Sequence, residues 1–212
     1  MTSYHVFSGN PLSRGEIERR DEQWIGDVAS GNIANFVIMK GGEVFVLSGD
    51  EYELVLLNNS DLQEFGIENS NTLFLGTLDS KAYFVLEISS DSVLATQFDD
   101  GDRRQFLDIR TAGGLLRWEQ SGIVAQAKSQ IDWHGKNRYC SVCGLKTIIA
   151  RGGQVRRCDD CDSMNYPRVD PVIITVVSDG ERCLLGQSRG RATSSNRFSA
   201  LAGFVDQGES IE

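Results

Sequence analysis

Cys140-Ser-Val-Cys-Gly-Leu-Lys-Thr-Ile-Ile-Ala-Arg-Gly-Gly-Gln-Val-Arg-Arg-Cys-Asp-Asp-Cys161 carries two C-x2-C knuckles separated by fourteen residues. Each knuckle can wrap two thiolates around one edge of a tetrahedron. Together, Cys140, Cys143, Cys158 and Cys161 close a four-cysteine shell around Zn²⁺, one ion per chain. Four thiolates leave no open coordination position, so the metal is structural. Gly144 follows the first knuckle, where the turn favours a small residue. Residues 146–150 and 154–157, joined by Arg151-Gly-Gly, read as the hairpin of a zinc ribbon. Two disulfides are the alternative; without a secretory signal, reduced thiols and a metal are preferred. Arg138, Arg156 and Arg157 stand where they would offset the negative charge of a zinc–tetrathiolate centre.

Toward the N-terminus, residues 1–110 hold short apolar runs: Phe36-Val-Ile-Met39, Val44-Phe-Val-Leu47, Leu54-Val-Leu-Leu57, Leu73-Phe-Leu75 and Tyr83-Phe-Val-Leu86. Turn-forming Gly, Ser, Asn and Asp separate them, which predicts a β-rich domain. From Thr111 to about Lys136, apolar residues recur every three to four positions, predicting one or two amphipathic helices. Ser121-Gly122 is the expected break, with Ser121 as an N-cap. In Trp133-His134 a packed Trp and a partly exposed His are expected.

Toward the C-terminus, Val172-Ile-Ile-Thr-Val-Val177 is rich in β-branched residues and reads as a central strand of the buried type. Asp179-Gly180 reads as a hairpin turn and residues 182–185 as the return strand, with Cys183 a buried, inert thiol. Residues 189–196 read as a polar loop before Phe198.

The 212 residues carry a net charge of −9, unevenly spread. Residues 1–132 hold ten Lys and Arg against twenty-one Asp and Glu; residues 133–212 hold eleven against nine. An acidic body argues against general nucleic-acid binding. The basic cluster between Lys136 and Arg168 suits a phosphate-bearing small ligand or a single RNA end, or else a solvated surface around the metal. No run of eighteen apolar residues occurs, and the N-terminus has neither a basic nor an apolar signal region. Neither a membrane span nor secretion is expected, and the cytoplasm is the expected compartment.

Leu201-Ala-Gly-Phe-Val-Asp-Gln-Gly-Glu209 matches the start of the Nudix box, G-x5-E-x7-R-E-U-x-E-E-x-G-U, and the sequence stops inside the x7 spacer. The ribbon, then Tyr166-Pro-Arg-Val-Asp-Pro171, then Leu201-Ala-Gly-Phe204, resembles in its order the NAD(H) diphosphatase branch of the Nudix hydrolases. The resemblance covers the whole chain. It implies an α+β multidomain fold: a β-rich Nudix-like domain at residues 1–132, a zinc ribbon at 133–168, and the start of an α/β/α Nudix sandwich at 169–212. It also implies a homodimer that hydrolyses the pyrophosphate of NAD(H) to nicotinamide mononucleotide and AMP with Mg²⁺ or Mn²⁺, and that some members remove NAD caps from RNA.

Carried over residue by residue, Tyr166 and Phe204 stand where the family stacks aromatics on the substrate base, with Ile174 lining the same pocket. Arg104 stands where an arginine touches substrate, and Ala202 where a backbone carbonyl reaches a metal. The glutamates that hold the divalent ions would follow Glu212. The chain as written is therefore expected to be a fragment that binds zinc without hydrolysing NADH, and Val172-Ile-Ile-Thr-Val-Val177 would lack covering helices and stand open. Two rivals remain: a non-catalytic ribbon that holds a nucleotide or RNA end, and a Nudix hydrolase for another nucleoside diphosphate derivative.

Overall fold

The computed structural model describes residues 5–97, 103–187 and 198–211. Residues 189–196, read above as a polar loop, lie outside the described residues, as does Glu212. The chain divides into two compact units, Met1–Pro167 and Arg168–Glu212.

The first unit is built on a mixed seven-stranded sheet. β1 (Ala34–Lys40) lies at its centre, antiparallel to β2 (Glu43–Leu47) and parallel to β6 (Lys81–Glu87). β3 (Glu53–Leu54) pairs with β2 and β4 (Leu56–Leu57) with β1; β5 (Leu73–Leu78) pairs with β6, and β7 (Arg104–Asp108) with β2. The run Leu54-Val-Leu-Leu57 thus splits between two partners rather than forming one strand.

Successive side chains of a strand face opposite sides, and β1 buries both. Phe36 and Ile38 join Phe45, Phe74 and Phe84 in one apolar cluster, with Val28 of α1 (Glu22–Ala29), Leu62 of α2 (Asn59–Glu64) and Leu94 of α3 (Val93–Gln97). Val37 and Met39 join Val44, Val46 and Val85 in a second, with Ala112 of α4 (Ile109–Leu115) and Ile123, Val124 and Ala127 of α5 (Trp118–Lys136). Helices on both faces account for the continuous apolar runs. The shorter helices are fixed by their caps. Asp21 accepts from Trp24 N at 3.0 Å, Asp108 caps α4, and Asn58 and Asp61 form a reciprocal capping box on α2.

Two expectations about this helical region need correction. The break falls at Leu116-Arg117, and Ser121 lies inside α5, where its hydroxyl donates to Trp118 O at 2.9 Å. Gly122 is required by packing, not by a break: a Cβ there would sit 2.4 Å from Asn10 N, where the N-terminal segment crosses the helix. The burial of the Trp133-His134 pair is also reversed, since His134 is buried and Trp133 only half-buried.

The zinc-ribbon segment completes the first unit with a three-stranded antiparallel sheet in the order β10 (Met164–Asn165), β9 (Val155–Arg157), β8 (Ile148–Ala150). The second unit holds two short ribbons. β11 (Val172–Thr175) pairs with β14 (Leu201–Phe204), and β12 (Val177–Ser178) pairs with β13 (Cys183–Leu184). Every residue of these four strands is exposed. Val172-Ile-Ile-Thr-Val-Val177 therefore stands open, as expected of a run without covering helices, and is not a buried central strand; it is also interrupted at Val176. Cys183 is exposed, contrary to its reading as a buried thiol, because neither face of β13 is covered. The turn between β12 and β13 spans four residues, closed by Asp179 Oδ1, which accepts from Glu181 N at 3.1 Å and Arg182 N at 2.8 Å.

Among the described residues, no helix is long and apolar enough to cross a membrane.

Candidate metal centre and the motif strand

Cys140 and Cys143 lie on the first knuckle of the ribbon, Cys158 follows β9, and Cys161 precedes β10. Their sulfurs all lie within 4.8 Å of one another, with Cys140 Sγ 3.7 Å from Cys161 Sγ and Cys143 Sγ 3.5 Å from Cys158 Sγ. A tetrahedral zinc–thiolate centre with bonds of about 2.3 Å has sulfur–sulfur edges of roughly 3.8 Å. A disulfide would bring two sulfurs to about 2.05 Å. The cluster has metal spacing, and all five cysteines are free thiols.

Polar groups around the sulfurs favour thiolate. The Ser163 hydroxyl lies 2.9 Å from Cys140 Sγ and 3.2 Å from Cys161 Sγ, and Val142 N donates to Cys140 Sγ at 3.4 Å. The Ser163 hydroxyl, followed by the Cys143 and Val142 backbone amides, holds the Cys140 thiol down to about 6, and Ser163 lowers Cys161 as well. At Cys143 the Leu145 amide pulls the same way, but the neighbouring thiol of Cys158 and burial prevail and push it up to about 12. A thiolate cluster that repels its own second charge in this manner is completed by a cation. Zinc fits these donors, and Ser163, which the C-x2-C pattern does not flag, supports them.

The hairpin tip anchors the ribbon to the seven-stranded sheet. Gly152 and Gly153 adopt φ of +57° and +91°. A Cβ on Gly152 would meet Phe74 Cβ at 3.0 Å, and one on Gly153 would meet Leu73 Cδ2 at 2.9 Å. Arg19 clamps this contact: it is 2% exposed, and its guanidinium donates to Phe74 O at 2.7 Å, Leu75 O at 3.0 Å and Gly152 O at 3.3 Å. Burial lowers its pKa to about 10, so it remains charged at neutral pH. Outside the tip, Arg151 N donates to Glu22 at 2.6 Å.

Two of the arginines flanking the knuckles have their own direct partners. Arg156 donates to Thr147 Oγ1 at 2.7 Å, Thr147 O at 2.7 Å and His134 Nδ1 at 3.0 Å, while Arg157 pairs with Asp159 at 3.0 Å. His134 Nε2 donates to Gly153 O at 2.8 Å, and burial, with the Arg156 charge, lowers its pKa.

The remaining candidate residues fall in both units. In the second, Ile174 is directly opposite Ala202 across the β11–β14 pair, and Val172 is opposite Phe204. Residues two apart on a strand share a face, so Ile174, Ala202 and Phe204 line the same side, with Ile174 74% and Phe204 71% exposed. Glu209 Oε2 accepts from Asp206 N at 3.0 Å, closing the turn after β14. In the first unit, Tyr166 is exposed and its hydroxyl donates to Met164 Sδ at 3.4 Å, and Arg104 lies on β7 opposite Leu47. Among the described residues, the four cysteines form the cluster of His, Cys, Asp or Glu side chains able to share a metal ion, and no carboxylate cluster accompanies Ala202.

The NADH pyrophosphatase-like rudimentary NUDIX domain family matches residues 34–133, and the NADH pyrophosphatase zinc ribbon domain family matches residues 136–166. The human NAD-capped RNA hydrolase NUDT12 is 31% identical over 250 aligned positions, which cover 98% of this chain and 53% of that protein. The human mitochondrial NAD(P)H pyrophosphatase NUDT13 is 32% identical over 139 positions, covering 62% and 39%. The NAD-capped RNA hydrolase NudC of Pseudomonas syringae pv. tomato is 27% identical over 197 positions, covering 91% and 66%. The chain spans about half the length of the first of these relatives. With the rudimentary NUDIX sheet, the four-thiol ribbon and the motif strand in this order, the chain belongs to the NADH pyrophosphatase family of Nudix proteins.

Proposed function

We propose that this protein serves the hydrolysis of the pyrophosphate bond of NAD(H), giving nicotinamide mononucleotide and AMP, and the removal of NAD caps from RNA. The observation that supports the reading most is the succession of the two matched domains and the motif strand, Leu201-Ala-Gly-Phe204, in one chain. In this proposal the parts are residues 1–132, the ribbon at 133–168, and the start of the Nudix sandwich at 169–212. Zinc on Cys140, Cys143, Cys158 and Cys161 holds the ribbon and takes no part in the reaction.

Recognition falls to a few groups. Phe204 and Tyr166 offer flat faces to the base, Ile174 extends the apolar wall beside Phe204, and Arg104 offers a guanidinium for phosphate. Mg²⁺ or Mn²⁺ would neutralise charge on the pyrophosphate and supply a nucleophilic water. In this reading the Ala202 carbonyl would reach such ions, and among the described residues no cluster of three or more carboxylates accompanies it. A homodimer and a cytoplasmic location, where five free thiols stay reduced, complete the reading.

The test is to incubate the gene product with NADH, ADP-ribose and NAD-capped RNA in Mn²⁺ and separate the products. Nicotinamide mononucleotide and AMP from NADH, with release of the cap, are expected. A clear preference for ADP-ribose would remove the NAD(H) assignment.

A further inference from the structure

Within the first unit, a cavity of about 440 Å³ opens where the seven-stranded sheet, α5 and the ribbon meet. Its size falls among small-molecule sites, which run from roughly 300 to 1,000 Å³. Leu73 and Val85 of the sheet, Ile131 of α5 and Ile149 of β8 give it an apolar lining. Arg138 and Arg156 make it cationic, and His134, Asn71 and Glu87 add hydrogen-bonding groups.

The cations are poorly compensated. Arg156 is 9% exposed, yet its hydrogen bonds go to Thr147 and to a neutral His134, and they use three of its five N–H groups. Neither Arg156 nor Arg138 forms an ion pair among the described residues. A largely buried guanidinium without a counter-ion is costly, and an anion in the adjoining cavity would remove that cost. Two guanidiniums are suited to the oxygens of a phosphate. Glu87 and Asn71 can hold sugar hydroxyls, and the aliphatic lining can take a flat base.

We propose that this cavity binds a nucleoside bearing a terminal phosphate monoester, with the phosphate on Arg138 and Arg156 and the sugar on Glu87 and Asn71. The ligand is either a free mononucleotide or the 5′ end of an RNA. Because the lining comes from sheet, helix and ribbon, occupancy ties the three together and stabilises the unit. The site shares no residue with the motif strand and does not depend on the proposed hydrolysis.

Calorimetric titration of the zinc-loaded protein with AMP, adenosine, and a trinucleotide with or without a 5′-phosphate tests this. At least one phosphorylated ligand should bind at least about tenfold more tightly than its unphosphorylated counterpart. Arg138→Gln should weaken that binding at least about fivefold while leaving zinc content and unliganded thermal unfolding unchanged. AMP binding alone identifies a free nucleotide, and trinucleotide binding alone identifies a chain end. Glu87→Gln, which removes a like charge from the cavity, should strengthen binding of inorganic phosphate by about twofold or more. The proposal is overturned if neither phosphorylated ligand binds at millimolar concentration, or if Arg138→Gln binds AMP and the phosphorylated trinucleotide as tightly as the unaltered protein.

Discussion

Phe36-Val-Ile-Met39 and Val172-Ile-Ile-Thr175 are nearly interchangeable as sequence, yet all four residues of the first are fully buried and all four of the second are exposed. β1 has strand partners in β2, β4 and β6 and helices over both faces, whereas β11 pairs with β14. An apolar, β-branched run specifies an extended backbone. Its burial is decided by what covers it, often from far along the chain. The first unit supplies that cover itself, and adds a zinc cluster whose hairpin is bolted to the sheet by Arg19.

Perturbing the two units should therefore have very different consequences. The largest effect is expected from Cys158→Ser, which breaks the thiolate shell. Structural zinc contributes on the order of 10 kcal/mol in isolated zinc fingers, so the ribbon should lose its metal and its hydrogen-exchange protection. Retention of one zinc per chain in this variant would mean that Cys158 is not a ligand. Next comes Phe84→Ala, which empties the centre of the first cluster between Phe36 and Phe74. A loss of about 3–5 kcal/mol in denaturant unfolding is expected, a large share of a typical domain's stability.

Arg19→Met should cost about 1–3 kcal/mol by leaving the carbonyls of Phe74, Leu75 and Gly152 without their donor. It should loosen the 151–153 turn in hydrogen exchange before the rest of the sheet. Uniform loosening would show that Arg19 does not couple ribbon to sheet. The smallest effect belongs to Ile174→Ala. On an open face it should change stability by less than about 0.5 kcal/mol. A loss like that of Phe84→Ala would contradict the contrast between β1 and β11.

Much of the first unit was legible locally. Short apolar runs bounded by turn residues mark β1, β2, β5 and β6 because strand length and punctuation are local properties. The two knuckles locate the metal site because tetrahedral geometry constrains spacing directly. The parallel pairing of β1 with β6 was not legible, since no local signal records which distant strand becomes a neighbour. Gly122 was misread because a glycine that admits a crossing chain looks the same in sequence as one that ends a helix. His134 looked like an exposed partner to Trp133, but its burial depends on a hairpin tip nineteen residues further on. Arg19 carried no signal at all, as its partners are backbone carbonyls. In the second unit, the register that sets Ile174 opposite Ala202 and on one face with Phe204 is a property of the pairing, not of either strand alone.

The claim on which the ribbon, its docking and the family reading all converge is that the four cysteines hold one zinc ion. X-ray absorption at the zinc edge, with metal content measured on the same sample, tests it most directly. One zinc per chain bound by four sulfurs at about 2.3 Å is expected. Oxygen or nitrogen in the first coordination sphere, or a metal-free protein with its thiols paired as disulfides, would contradict it.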